Sequence, residues 1–151
     1  MIKIQLGDFD IGSAISGMTD GKNNIGGLAC FVGLVRDIAS NQRIKSMTLE
    51  HYPGMTERQL EKLESVARER WHLQDVLIVH RYGKLLPGDR IVLVATASAH
   101  RDASLEACQF LIDCLKTKAP FWKLEETEIG EQWVAARVED DIASERWEKP
   151  V

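Results

Sequence analysis

The residues best suited to chemistry in this sequence are cations set beside turns. Lys116 and Lys123 flank Pro120 in the stretch Leu115-Lys116-Thr117-Lys118-Ala119-Pro120-Phe121-Trp122-Lys123. A lysine held against Phe121 or Trp122 loses part of its hydration. That lowers its pKa and suits it to act as a base, a nucleophile or a proton donor. The plainer alternative is that lysines gather at a helix C-terminus because they complement its dipole. His100 and Arg101 stand in Ser98-Ala99-His100-Arg101-Asp102, where a strand runs into a helix. Free backbone N–H groups at such a junction favour an anion, and an arginine grips a phosphate with two parallel bonds. An ordinary helix start with two exposed polar side chains explains the same stretch without any function. Arg36 follows Gly33-Leu34-Val35 and precedes Asp37. It reads either as an anion ligand or as half of an exposed ion pair worth less than about 1 kcal/mol.

The histidines and cysteines point elsewhere. His51 and His80 have no second ligand at metal-binding spacing, so both read as structural histidines and no metal is expected. Cys30, Cys108 and Cys114 form neither a CxxC pair nor a disulfide framework. They read as small apolar fillers in a reducing compartment, with the cytoplasm expected. Trp71, Trp122, Trp133 and Trp147 fall in different elements and read as packing groups, not as a stacking platform.

These side chains need elements to hold them. Ile2, Ile4 and Leu6 alternate with polar residues and predict an opening strand. Residues 10–18 predict a short helix, and 19–24 a turn-rich loop. Strands are expected over 28–35 and 46–52, with a polar loop over 37–45 between them. Thr56 and Gln59 predict a capping box, followed by Leu60, Leu63, Ala67 and Trp71 at helical spacing. Strands over 76–80 and 90–97 enclose the turn Pro87-Gly88-Asp89. Asp102 is the expected N-cap of a helix running to Lys118, with Leu105, Cys108, Leu111, Ile112 and Leu115 as its apolar stripe; Pro120 stops it. Residues 121–127 and 132–137 predict a hairpin around Gly130, and 140–147 a terminal helix. Strands and helices are mixed without strict alternation, which predicts α+β in a single domain over residues 1–151.

Composition narrows the partners. The chain has 151 residues, 44% of them hydrophobic and 28% charged, with a formal net charge of -4, an ordinary balance for a globular domain without the basic excess of a nucleic-acid binder. No apolar run approaches the roughly 20 residues of a membrane helix, and no signal-peptide core opens the chain.

Three stretches together resemble the signature segments of the molybdopterin synthase large-subunit family. They are Leu49-Glu50-His51-Tyr52-Pro53-Gly54-Met55-Thr56, Ser98-Ala99-His100-Arg101 and the Leu115 to Lys123 segment around Pro120. Val35-Arg36, His80-Arg81 with Gly83, and Trp133-Val134 with Ala136-Arg137 support the match. The resemblance implies an α/β-hammerhead-type mixed sheet with flanking helices and an added C-terminal hairpin. It implies a sulfurtransferase and a homodimer within a heterotetramer. The partner would be a small ubiquitin-like sulfur carrier whose C-terminal Gly-Gly ends in a thiocarboxylate. The substrate would be cyclic pyranopterin monophosphate, with no cofactor required. Residue by residue, Lys116 resembles the family's catalytic lysine and Lys123 its second pocket lysine. Arg36, His100 and Arg101 resemble anion ligands. Leu34, Val35, Leu124 and Glu125 would line the site, and Arg137 would assist, with the dimer interface as one route.

Asp37 departs from the Asn common at its place, and Lys118 from a frequent Arg. The chain ends Trp147-Glu148-Lys149-Pro150-Val151 without Gly-Gly, so the carrier is expected to be a separate chain. Two readings of other classes compete. One is a non-catalytic scaffold for a ubiquitin-like tail, which would tolerate loss of both lysines. The other is a nucleotide-binding module, against which stands the lack of any GxGxxG or GxxxxGK[ST] segment.

Overall fold

The computed structural model describes residues 1–135 and 137–148. Residue 136 in the expected last strand, and residues 149–151 of the C-terminal stretch, lie outside the described residues.

Two long strands form the centre. β5 (Leu73–Arg81) and β7 (Arg90–Ser98) pair antiparallel and are buried along most of their length. Both run as continuous apolar segments because both faces of their sheet are covered. β1 (Ile2–Gln5) lies parallel to β5, and β2 (Gly27–Leu34) antiparallel to β7, giving the order β1-β5-β7-β2. The period of two divides the side chains cleanly. Val76, Ile78, Val92 and Val94 face α2 (Met55–Arg70) and α3 (Arg101–Lys118), in a core shared with Leu60, Ala67, Leu111 and Cys114. Leu77, Val79, Leu93 and Ala95 face the other way, onto Phe9 and onto Met18 of α1 (Ile11–Thr19).

A second sheet is built on β4 (Gln42–His51). It carries β3 (Ile38–Ala39), β8 (Phe121–Thr127) and β9 (Gly130–Trp133) in the order β3-β4-β8-β9, while β6 (Gly83–Leu85) also pairs with β4. Val35, Ile44, Met47, Leu49 and Leu85 form its core. α4 (Val138–Glu145) closes the described chain. The α+β class and the hairpin around Gly130 match expectation, and no helix among the described residues is long and apolar enough to cross a membrane.

Several local expectations need correction. Residues 37–45 are not a loop throughout. β3 and β4 make a hairpin whose two central residues, Ser40 and Asn41, have φ of 51° and 61°. Positive φ at both positions matches the twist of the flanking strands. The helix starts two residues earlier than a Thr56–Gln59 capping box requires, and no such box forms. Gly54 is the N-cap at φ 83°, its N–H donates to Glu57, and Thr56 sits inside the helix, its hydroxyl accepting from the Tyr52 N–H at 3.0 Å. His100, not Asp102, is the N-cap of α3, and it makes no side-chain cap bond. Leu105 is exposed, off the buried stripe. Trp71 and Trp147 do pack, both against Phe110, but Trp122 and Trp133 are exposed on the outer face of the β8–β9 hairpin.

Candidate active site

Pro120 sets the geometry of the lysines. α3 ends at Lys118, and β8 begins at Phe121, so Lys116 leaves the last turn of the helix while Lys123 leaves the strand three residues past the proline. Both line one two-lobed cavity. Phe121, Lys123 and Glu125 share a face of β8 and point into it, whereas Trp122 and Leu124 fall on the opposite face. Leu124 pairs with Thr48 and Trp133 and does not line the cavity.

Arg36 arrives from the other sheet. The β2–β7 register shifts between Gly33 and Leu34, leaving Ile91 of β7 as the extra, unpaired residue, and β2 ends at Leu34. The exit is then tied down on both sides of Val35. Its N–H donates to the Asp89 carbonyl at 2.9 Å, and its carbonyl accepts from the Gly88 N–H at 2.8 Å. Gly88 holds φ 89°, so the Pro87-Gly88-Asp89 turn needs its glycine there. Val35 is thereby buried as an anchor, and Leu34 and Arg36 are left on the cavity wall.

The two lobes differ in chemistry. One, of about 350 Å³, adds Arg137, Asp140 and Glu125 to Arg36, Lys116 and Lys123. The other, of about 330 Å³, runs between β2 and α3, with Phe31, Val32, Ile91, Val92 and Leu115 on its walls and His80 at its base. Burial, with the charge of Lys116 second, pulls the Lys123 pKa below the usual lysine range. Four cations against two carboxylates make a field suited to an anion, although the chain as a whole carries -4.

His100 and Arg101 are not part of this cavity. They follow Ser98 at one end of β7, whereas Ile91 of the cavity wall stands at the other end, roughly 23 Å away at the rise of a strand. Along α3, Arg101 and Lys116 are separated by roughly 22 Å. Cys30 is exposed on β2 and is not the buried filler expected, whereas Cys108 and Cys114 are buried. Burial pushes Cys108 up to about 11 and Cys114 upward as well, so neither is a ready thiolate. Phe31 and His80 were missed as cavity residues. Each stands as one side chain inside an apolar strand, and only the pairing of strands reveals which face meets the lysines.

The sequence matches the model of the MoaE protein family over residues 4–118. The chain belongs to the MoaE family. A molybdopterin synthase catalytic subunit from Ralstonia nicotianae is 50% identical over 146 residues, covering 97% of this chain and 83% of that protein. The subunit of the same description from Pseudomonas aeruginosa is 46% identical over 148 residues, covering 98% and 99%. A solved MoaE protein of Burkholderia ambifaria superposes with a TM-score of 0.85 at 50% identity, covering 99% of each chain. Molybdopterin synthase from Staphylococcus aureus gives 0.82 at 27% identity, over 88% of this chain and 96% of that one. This MoaE-family chain is accordingly an enzyme subunit of molybdenum cofactor biosynthesis, and the cationic cavity lies in a MoaE fold.

Proposed function

We propose that this chain, acting as one unit in the cytoplasm, transfers sulfur from a thiocarboxylated ubiquitin-like carrier to cyclic pyranopterin monophosphate. Convergence of Arg36, Lys116 and Lys123 on one cavity supports this reading. The substrate is a phosphate ester and the donor tail is anionic, so a site for both needs several cations. Arg36 and Arg137 hold the phosphate, and the carrier's Gly-Gly tail brings its sulfur to the lysines. The sulfur attacks a side-chain carbon of the pterin, and the carbon–oxygen bond breaks. Lys116 gives a proton to the departing oxygen and offsets its developing charge. Water then cleaves the acyl–sulfur bond, leaving a carboxylate on the carrier and sulfur on the pterin. A second carrier repeats the step to complete the dithiolene. Lys123, held partly out of water, positions the anion in register.

His100 and Arg101 complete the site from a second copy of the chain. The span of more than 20 Å within one chain supports this, since no side-chain movement closes it. A reconstituted assay tests the proposal. Wild type, given thiocarboxylated carrier and cyclic pyranopterin monophosphate, forms the dithiolene, while a folded Lys116→Ala variant loses at least about a hundredfold in rate, as expected for a general acid. Unchanged transfer by the variant would remove Lys116 from the chemistry, and no product from a folded wild type that still binds the carrier would return the chain to the scaffold reading.

A further inference from the structure

We infer that His80 binds the substrate directly, its Nε2 accepting a hydrogen bond from an N–H of the pterin ring in the apolar lobe. This rests on the sulfur-transfer reading of the same cavity.

The lobe has four polar side chains on its described walls: Arg36, Lys116, Lys123 and His80. The first three, when charged, carry donors and no acceptor. A pterin brings several ring and amino N–H groups, and buried donors left unpaired are costly. Among these four side chains, His80 is the one that presents an acceptor at neutral pH.

Its ring is fixed in two ways. Nδ1 lies 2.8 Å from the Arg81 carbonyl oxygen. A carbonyl only accepts, so Nδ1 carries the hydrogen and Nε2 keeps its lone pair. The ring also stacks on Phe121, with centroids 3.7 Å apart and planes 13° from parallel. A half-turn of the imidazole would break the Arg81 bond, so the acceptor edge stays where it is. Burial, reinforced by Lys123, Lys116 and His51, lowers the His80 pKa to about 4, which keeps the ring neutral at working pH. His80 is thus an acceptor and not a proton carrier.

The lobe's shape selects the occupant. Phe31, Ile91, Val92, Leu115 and Phe121 offer flat and branched apolar walls. A heterocycle uses such walls; a Gly-Gly tail has no side chain to lay against them. The phosphate then falls toward the second lobe, where Arg137 joins the shared cations.

Two variants separate this role from a structural one. The amide of glutamine at position 80 reaches the place of Nε2, whereas that of asparagine reaches the place of Nδ1. Both lose the stack on Phe121, so they differ in which ring nitrogen each replaces. Initial rates are measured with pterin and carrier varied separately, after melting curves confirm folding. His80→Asn raises the KM for the pterin about tenfold and His80→Gln less than about threefold, with the KM for the carrier unchanged in both. Equal effects, or a better enzyme with Asn than with Gln, overturn the inference, since a histidine serving only the Arg81 carbonyl gives that order. A change in the carrier KM alone assigns Nε2 to the tail and overturns it too. The wild type supplies an independent reading by ¹⁵N NMR. The pyridine-like Nε2 resonance of His80 moves upfield on addition of cyclic pyranopterin monophosphate without carrier. An unmoved resonance at saturation, shown by calorimetry, overturns the inference while leaving the sulfur-transfer reading intact. Wild type that forms no product overturns that reading and this inference together.

Discussion

At the scale of single residues, the cavity combines exposed cations with groups held away from water. Lys116 and Arg36 meet solvent, whereas Lys123 is half-buried and His80 is 4% exposed. A buried neutral histidine couples stability to pH in one direction. Its folded pKa of about 4 lies below the ordinary 6.5, so the unfolded chain binds more protons between those values. Stability from this group is complete above pH 6.5 and is lost as pH falls toward 4. Between pH 7 and pH 5 that loss is about 2 kcal/mol. Urea melts at the two pH values check it. Wild type loses that increment, and His80→Gln, though less stable at pH 7, shows a correspondingly smaller fall. An identical fall in both proteins would mean that His80 is not the group responsible.

At the scale of elements, α4 matters because Arg137 and Asp140 of the cavity wall stand at its start. Asp113 of α3 anchors its far end. The carboxylate accepts from Arg146 Nη2 at 2.6 Å, from Trp147 Nε1 at 2.8 Å and from Gln109 Nε2 at 2.9 Å. Arg146 is itself half exposed, so the ion pair is partly screened. Asp113→Ala is expected to cost about 2 kcal/mol in thermal unfolding. Trypsin should cut earlier at Arg137 and Arg146, and activity should fall through KM more than through kcat. Activity lost with α4 still protected would place the effect of Asp113 elsewhere. This anchoring was not legible in the sequence, where Asp113 is one polar residue in an apolar stripe. β5, β7, α2 and α3 were legible, because burial on both faces or on one helical stripe writes a strong period into the residues. β3 and β6, with two and three residues, are too short to write one. The helix start was misplaced because Thr56 and Gln59 have the spacing of a capping box, whereas the chain makes only the half in which Glu57 accepts from the Gly54 N–H. The lysines around Pro120 were legible as a site because proline fixes where the helix ends. That His100 and Arg101 stand far from the lysines was not legible, since distance appears only once strands are paired.

At the scale of the whole molecule, the proposal that His100 and Arg101 serve the cavity requires a second copy, because on their own chain they stand more than about 20 Å from it. That requirement makes a quantitative prediction. Lys116→Ala and Arg101→Ala chains are each inactive as homodimers, one for lack of its lysine and the other for lack of its anion ligand. Mixed after unfolding and refolded together in equal amounts, half of the dimers contain one of each. In such a dimer one site carries both defects. The other joins the intact lysine of the Arg101→Ala chain to the intact arginine of the Lys116→Ala chain. One restored site in half of the dimers gives about a quarter of wild-type activity per chain. Recovery near that fraction means the two residues act at one site across an interface. Refolded mixtures no better than the separate variants, with mixed dimers verified by mass spectrometry, would mean that Arg101 serves its own chain, and its place at the start of α3 would then be structural.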